Sequence, residues 1–386
     1  MLSSARLLFA VPIMLFTGAP SVDGRQQTGQ REKCEPPARQ NDGWETSRPS
    51  NVGMDSERLC AVNAKVRSGD LPNIHSILVV RHGKLVFEQY FRGKDERWGE
   101  SLGIVDFKAT TLHDVRSISK TVTSLLFGIA VSEGKIAGVD GRVVDYFPEY
   151  AQRLQPGINA IRLEHLLTMT MGLEWNEDVP YDDSLNTERQ LDSVVDPRGF
   201  TLTRPIVAAP GERFAYSGGA TTLLAAVVEK AAGVPIDRYG RSVLFEPLGI
   251  SDFDWNKFDN GEPIAHWGLR LTPRALAKVG FLFLSEGKWK NRQIVPAGWI
   301  TESVRARAQA DPGFKYGYQL WLGSTTAGGR KVAWAAAAGN GGQRFFVIPS
   351  LDMLVIITAG NYNGPNQQAT AMRIVDEHVL AAVKDW

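Results

Sequence analysis

Ser117-Ile118-Ser119-Lys120 places a hydroxyl and an amine three residues apart at the start of a helical pattern. Ile118, Val122, Leu125, Leu126 and Ile129 recur on one face with the 3.6-residue period, and Glu133-Gly134 stops the run. Ser117 therefore falls in the first turn, where unpaired backbone N–H groups and the positive end of the helix dipole favour a developing oxyanion. Lys120 lies one turn on and projects from the same face. Apolar neighbours are expected to push its pKa down, leaving a fraction of neutral amine to take the serine proton. The chemistry predicted is attack by Ser117 with Lys120 as base; the alternative is a serine that merely caps its helix. Ser132 with Lys135 and Ser285 with Lys288 repeat the spacing. Each of these carries Glu-Gly at a helix exit, which puts the lysine beyond the helix.

The segment Arg116 to Leu126 resembles the first motif of the serine β-lactamase-related hydrolases, a family of class C β-lactamases, DD-peptidases, esterases and 6-aminohexanoate-dimer hydrolases. Pro210-Gly211-Glu212-Arg213-Phe214-Ala215-Tyr216-Ser217-Gly218 is similar to the second motif, and Gly339-Asn340-Gly341-Gly342-Gln343 to the third. Leu166–Leu173 and Gly268–Thr272 are lesser matches, and the resemblance runs from about Trp44 to the C-terminus. It implies an α+β fold of the β-lactamase/DD-peptidase type, an antiparallel sheet flanked by helices with an inserted helical subdomain. It also implies an acyl-enzyme on Ser117, with Lys120 taking the proton and Tyr216 relaying one to the leaving group. That last role requires a phenol pKa lowered by a cation such as Lys120. The oxyanion hole would use the backbone N–H groups of Ser117 and Asn340. Read without the resemblance, Tyr216 is equally a core tyrosine, and Gly339–Gln343 a hairpin turn.

Departures from the family pattern bear on substrate. Ala335 to Ala338 precede the third motif where β-lactamases and DD-peptidases have a lysine or histidine that helps bind a carboxylate. Gly218 stands where many members have Asn. Both argue against efficient β-lactam or D-Ala-D-Ala recognition. Gly218, Gly342 and Arg344 are candidate substrate contacts; the alternative for Arg344, on an alternating strand, is to face water. The acidic stretch Glu174, Glu177, Asp178, Asp182 and Asp183, with Trp175 and Tyr181, either rims the site and favours an amine-bearing or neutral substrate or forms a solvated face.

At 386 residues the chain suffices for a large core. Forty-three basic against forty-two acidic residues give no field for nucleic acid. No phosphate-cradling loop appears, and the six histidines never fall at metal-ligand spacing, so no cofactor or metal is expected. The partner is then a small-molecule ester or amide; oligomeric state is not legible. Arg6, the apolar run Leu7 to Phe16 and small residues through Ser21 read as an export signal over 1–21, too short to span a bilayer. A periplasmic or secreted location follows. A flexible lead is expected over 22–43 and the hydrolase domain over 44–386, with a sheet subdomain at about 70–135 and 310–386 and a helical one at about 136–309. Cys34 and Cys60 either pair in an oxidising compartment or leave Cys60 as a buried small hydrophobe. Two other readings stay open. One is an α/β-hydrolase elbow at Ala215–Gly219 with Ser217 as nucleophile, Asp252 or Asp311, and His378. The other is a catalytically silent binder of cell-wall peptides or a partner protein.

Overall fold

The structure is a computed structural model that describes residues 34–386. The expected export signal and residues 22–33 of the lead lie outside the described residues.

Strand Ile74–Arg81 (β1) is buried at all eight positions, as an apolar run must be when both faces of its sheet are covered. His82 and Gly83, both at positive φ, turn it into Lys84–Tyr90 (β2), the hairpin the flanking β-rich runs predict. Arg92–Arg97 (β3) and Glu100–Asp106 (β4) form a separate hairpin, and His113–Asp114 (β5) leads into helix Ile118–Ser132 (α1). Helices Thr187–Asp192 (α2) and Gly218–Ala232 (α3) follow, then Leu269–Leu271 (β6), which pairs with β5, and helix Pro273–Leu284 (α4). The chain closes with Ala308–Asp311 (β7), Phe314–Tyr316 (β8), Trp321–Ala327 (β9), Arg330–Gly339 (β10), Gln343–Ile348 (β11), Met353–Ala359 (β12) and helix Gln367–Arg373 (α5). The main sheet runs Glu45–Thr46, β2, β1, β12, β11, β10, β9, β8, β7. All its pairs are antiparallel but the first.

Alternation along β1 splits the core in two. Leu78 and Val80 join α1, α3 and α4 on one face; Ile77 and Val79 join Leu59, Ile374 and Val379 on the other. α4 thus belongs to the sheet by its packing, although its residues fall within 136–309. α1 is buried on every side from Ile118 to Ala130, beyond the one-face pattern of its sequence. Each of its buried leucines contributes about 1.5–3 kcal/mol. Gly128 is required there, because a Cβ would lie 2.3 Å from the Trp299 ring. Among the described residues no single helix is long and apolar enough to cross a membrane.

Cys34 and Cys60, 26 residues apart, form a disulfide. From Cys34 onward the lead is held down. Arg274 donates to the Ala38 carbonyl at 2.7 Å and pairs with Asp42 at 3.0 Å. Closing a loop of this length removes unfolded-state entropy worth about 3 kcal/mol. Cys34→Ala with Cys60→Ala should therefore lower the guanidinium midpoint, and reductant should do the same to the wild type. An unmoved midpoint would mean that Arg274 alone fixes the segment.

Candidate active site

Ser117 sits at the N-terminus of α1, after Arg116 has entered the left-handed region at φ 49°. It makes no capping bond, so the capping alternative fails, and its hydroxyl lines a cavity of about 430 Å³. Lys120, fully buried, donates its three hydrogens to Ser117 Oγ at 3.1 Å, Glu188 Oε2 at 3.2 Å and the His266 carbonyl at 3.1 Å. That set satisfies an ammonium completely. Burial opposes the charge, but Glu188, Tyr216 and Glu177 outweigh it, and the pKa of Lys120 is raised. The lowered value expected from apolar neighbours is thus corrected. The sequence pattern exposes the apolar neighbours of Lys120 and hides the carboxylate that α2 delivers from 68 residues away.

Glu188 and Glu177 form a hydrogen-bonded carboxyl pair behind the lysine. Burial disfavours ionising both, yet Lys120 and His266 hold Glu188 below the usual carboxylate range. Burial and the Glu188 charge push Glu177 well above it. Of the two, Glu177 is thus the carboxyl that burial and its neighbour favour in the protonated form. Glu177 Oε1 accepts from the Gly218 N–H and from Trp175 Nε1, both at 2.6 Å. Gly218 is consequently walled off rather than in contact with substrate: a Cβ there would meet His266 at 2.7 Å and Glu188 at 2.8 Å. Lys120 lies 4.8 Å over the Tyr216 ring, and Ser117 hydrogen-bonds the Tyr216 hydroxyl. Burial raises the phenol pKa more than Lys120 lowers it, against the expected depression. Ser217 is fully buried and its Oγ accepts from the Ala220 N–H at 3.1 Å, so it caps α3 and cannot be an exposed elbow nucleophile.

The turn from β10 to β11 closes the other wall. Gly339 packs against Val115 and Arg116, leaving no room for a Cβ, and Asn340 borders the cavity. Among the described residues neither the Ser117 nor the Asn340 backbone N–H has a protein acceptor. Gly342, at φ 100°, is a turn residue outside the cavity, which removes it as a substrate contact. Arg344 is buried and reaches the cavity instead of water, and burial pulls its guanidinium down to about 10. Its Nη1 donates to the carbonyls of Gly339 at 2.9 Å and Gln343 at 2.7 Å, clamping both ends of the turn. Arg344→Met should slow charged and neutral esters alike, by about tenfold or more, since each charged hydrogen bond is worth about 1.5–3 kcal/mol. A loss confined to carboxylate-bearing esters would assign it to substrate. Of the acidic stretch, Glu177 reaches the cavity along with Tyr181, whereas Glu174 pairs with Arg204 outside it. Phe314, Trp321, Trp334 and Phe346 line the apolar end.

A family model described as Beta-lactamase matches residues 68–380. The chain belongs to the beta-lactamase family. The 6-aminohexanoate-dimer hydrolase of Paenarthrobacter ureafaciens is 25% identical over 312 residues, 73% of this chain and 71% of that protein. Esterase EstB of Burkholderia gladioli is 29% identical over 185 residues, 45% of each chain, so this match spans under half of the esterase. The solved octameric penicillin-binding protein homologue from Pyrococcus abyssi shares the fold, with a TM-score of 0.62 at 20% identity over 83% of this chain and 77% of that one. This member is a serine hydrolase of carboxylic ester or amide bonds.

Proposed function

We propose that this hydrolase is exported and cleaves its ester or amide through an acyl-enzyme on Ser117. The observation that carries the reading is Lys120, whose Nζ bridges an uncapped, cavity-lining Ser117 Oγ and a buried Glu188 carboxylate. At rest Lys120 is an ammonium. Passing one proton to Glu188 leaves an amine, which accepts the Ser117 proton as Oγ attacks the carbonyl. The oxyanion then lies against the N–H groups of Ser117 and Asn340. Tyr216, neutral at rest, donates its proton to the leaving group and is recharged by Lys120. Water attacks the acyl group by the reverse sequence.

The aromatic end of the cavity suits an apolar acyl or leaving group, and Glu177, whose pKa burial raises, lines the cavity and suits an uncharged or amine-bearing one. Ala335 to Ala338, the part of β10 beside the cavity, carry no lysine or histidine to take a carboxylate. Export is supported by the signal-like run Leu7 to Phe16 and by the Cys34–Cys60 disulfide, which belongs to oxidising compartments.

Intact mass during turnover of a p-nitrophenyl ester with a neutral medium-length acyl chain tests the chemistry. A burst of nitrophenol with a mass gain equal to the acyl group is expected, together with slow or no penicillin adduct. Turnover with no acyl adduct under rapid quench, or a penicillin adduct as fast as the ester's, would overturn the reading. N-terminal sequencing of periplasmic protein is expected to begin just after Ser21.

A further inference from the structure

His75, Asp95 and His113 converge outside the catalytic cavity, one each from β1, β3 and β5. All three are buried, both imidazoles completely. Their neighbours fix which ring nitrogen carries hydrogen. His113 Nδ1 lies 2.9 Å from the Asp114 carbonyl, which only accepts, so Nδ1 is the donor and Nε2 presents a lone pair. The Asn73 amide is oriented by donating from Nδ2 to the Lys94 carbonyl at 3.0 Å and accepting the Lys94 N–H at Oδ1, 2.9 Å. That Oδ1 is 3.3 Å from His75 Nε2, which places the His75 hydrogen on Nε2 and leaves Nδ1 bare. The two bare nitrogens face each other at 2.8 Å. Lone pairs so placed repel unless a cation holds them.

Asp95 supplies the third group. Its Oδ1 is 3.9 Å from His75 Nδ1 and 3.6 Å from His113 Nε2, and its buried Oδ2 has no hydrogen-bond partner. A buried carboxylate without a cation is costly. Bonds of about 2.0–2.2 Å to one ion put neighbouring ligands roughly 3 Å apart, the scale of these three spacings.

We propose that His75, Asp95 and His113 bind one divalent transition-metal ion, with zinc the best match to two imidazoles and a carboxylate. The role is structural. The Tyr362 hydroxyl donates to Asp95 Oδ1 at 2.9 Å, and the Tyr362 ring carries the Arg116 guanidinium at 4.8 Å. Glu96, next to Asp95, pairs with the same arginine. The ion fastens β1, β3 and β5 together just ahead of the turn that presents Ser117.

Elemental analysis of the full chain, purified without chelator, should find about one equivalent of zinc, with the same content in Ser117→Ala. Stripping the ion should lower Tm by about 5 °C or more, and zinc should restore it. The cobalt-loaded wild type should show visible d–d bands and X-ray absorption from two imidazoles, and Asp95→Asn should lose the tightly bound equivalent. The cobalt measurement stands even if the variant fails to fold. A metal-free protein whose Tm ignores zinc, cobalt and manganese would overturn the proposal. So would a cobalt site without imidazole, an Asp95→Asn protein that keeps its ion, or a ¹⁵N signature of one proton shared between the two rings.

Discussion

Ser117→Ala should abolish turnover, with kcat/KM falling about 10⁴-fold or more, and should remove all labelling by a fluorophosphonate probe. The size follows from the loss of the atom that forms the proposed acyl bond, while the cavity and its N–H donors remain to hold substrate. Little structural cost is expected, because Ser117 makes no capping bond and is only half-buried. Ser217→Ala supplies the contrast. Its hydroxyl caps α3, so its loss should cost about 1 kcal/mol of stability and leave labelling intact. Label surviving in Ser117→Ala and vanishing in Ser217→Ala would refute the assignment. No label on the wild type under any condition would favour a silent binder.

Replacing both buried carboxyls, Glu188→Gln with Glu177→Gln, should lower kcat/KM about 10²- to 10³-fold at neutral pH and create a new dependence on alkaline pH. In the proposed mechanism the proton that Lys120 sheds moves to Glu188, 3.2 Å away, without leaving the site. Activity should therefore stay flat with rising pH once Glu188 is ionised, and fall only in acid as that carboxylate is protonated. In the variant no internal acceptor remains and burial pulls the Lys120 pKa down, so the amine forms by losing its proton to solvent and the rate climbs with pH through that lowered value. Both carboxyls must change, since replacing Glu188 alone removes one of the causes that raise Glu177 and leaves it beside Lys120 as a substitute acceptor. Stability has its own signs. The raised Lys120 pKa contributes stability that is complete below the ordinary lysine value of 10.5 and lost above it. The lowered Glu188 pKa contributes stability present above the ordinary glutamate value of 4.5 and lost in acid. The wild type should thus be held by this pair between those limits, as denaturant midpoints across pH would show. A double variant with a flat profile near the wild-type rate would remove Glu188 from the mechanism.

The nucleophile helix and the β1–β2 hairpin were legible because period and turn chemistry agree with burial there. Strand β10 was not. Ala335 to Ala338 favour helix on their own, and pairing with β9 and β11 overrides that preference. In the site, Ser117, Lys120 and Tyr216 were found by spacing and resemblance. Glu177 stood out only as one acid among five, and nothing local marks Glu188, whose partner is set by tertiary packing. The pKa directions of Lys120 and Tyr216 failed for the same reason. His75, Asp95 and His113 escaped a search for ligand spacing because three different strands carry them.

Ala336 and Ala338 lend the cavity one wall from the sheet, whereas Ser117 and Lys120 come from α1 and Glu188 from α2. Each added methyl at either alanine would narrow the cavity from the sheet side. A larger side chain at Ala336 or Ala338 would therefore reduce the room for substrate and leave α1 and α2 unchanged. The shape of the cavity and the groups that move protons are thus set by separate elements of the fold.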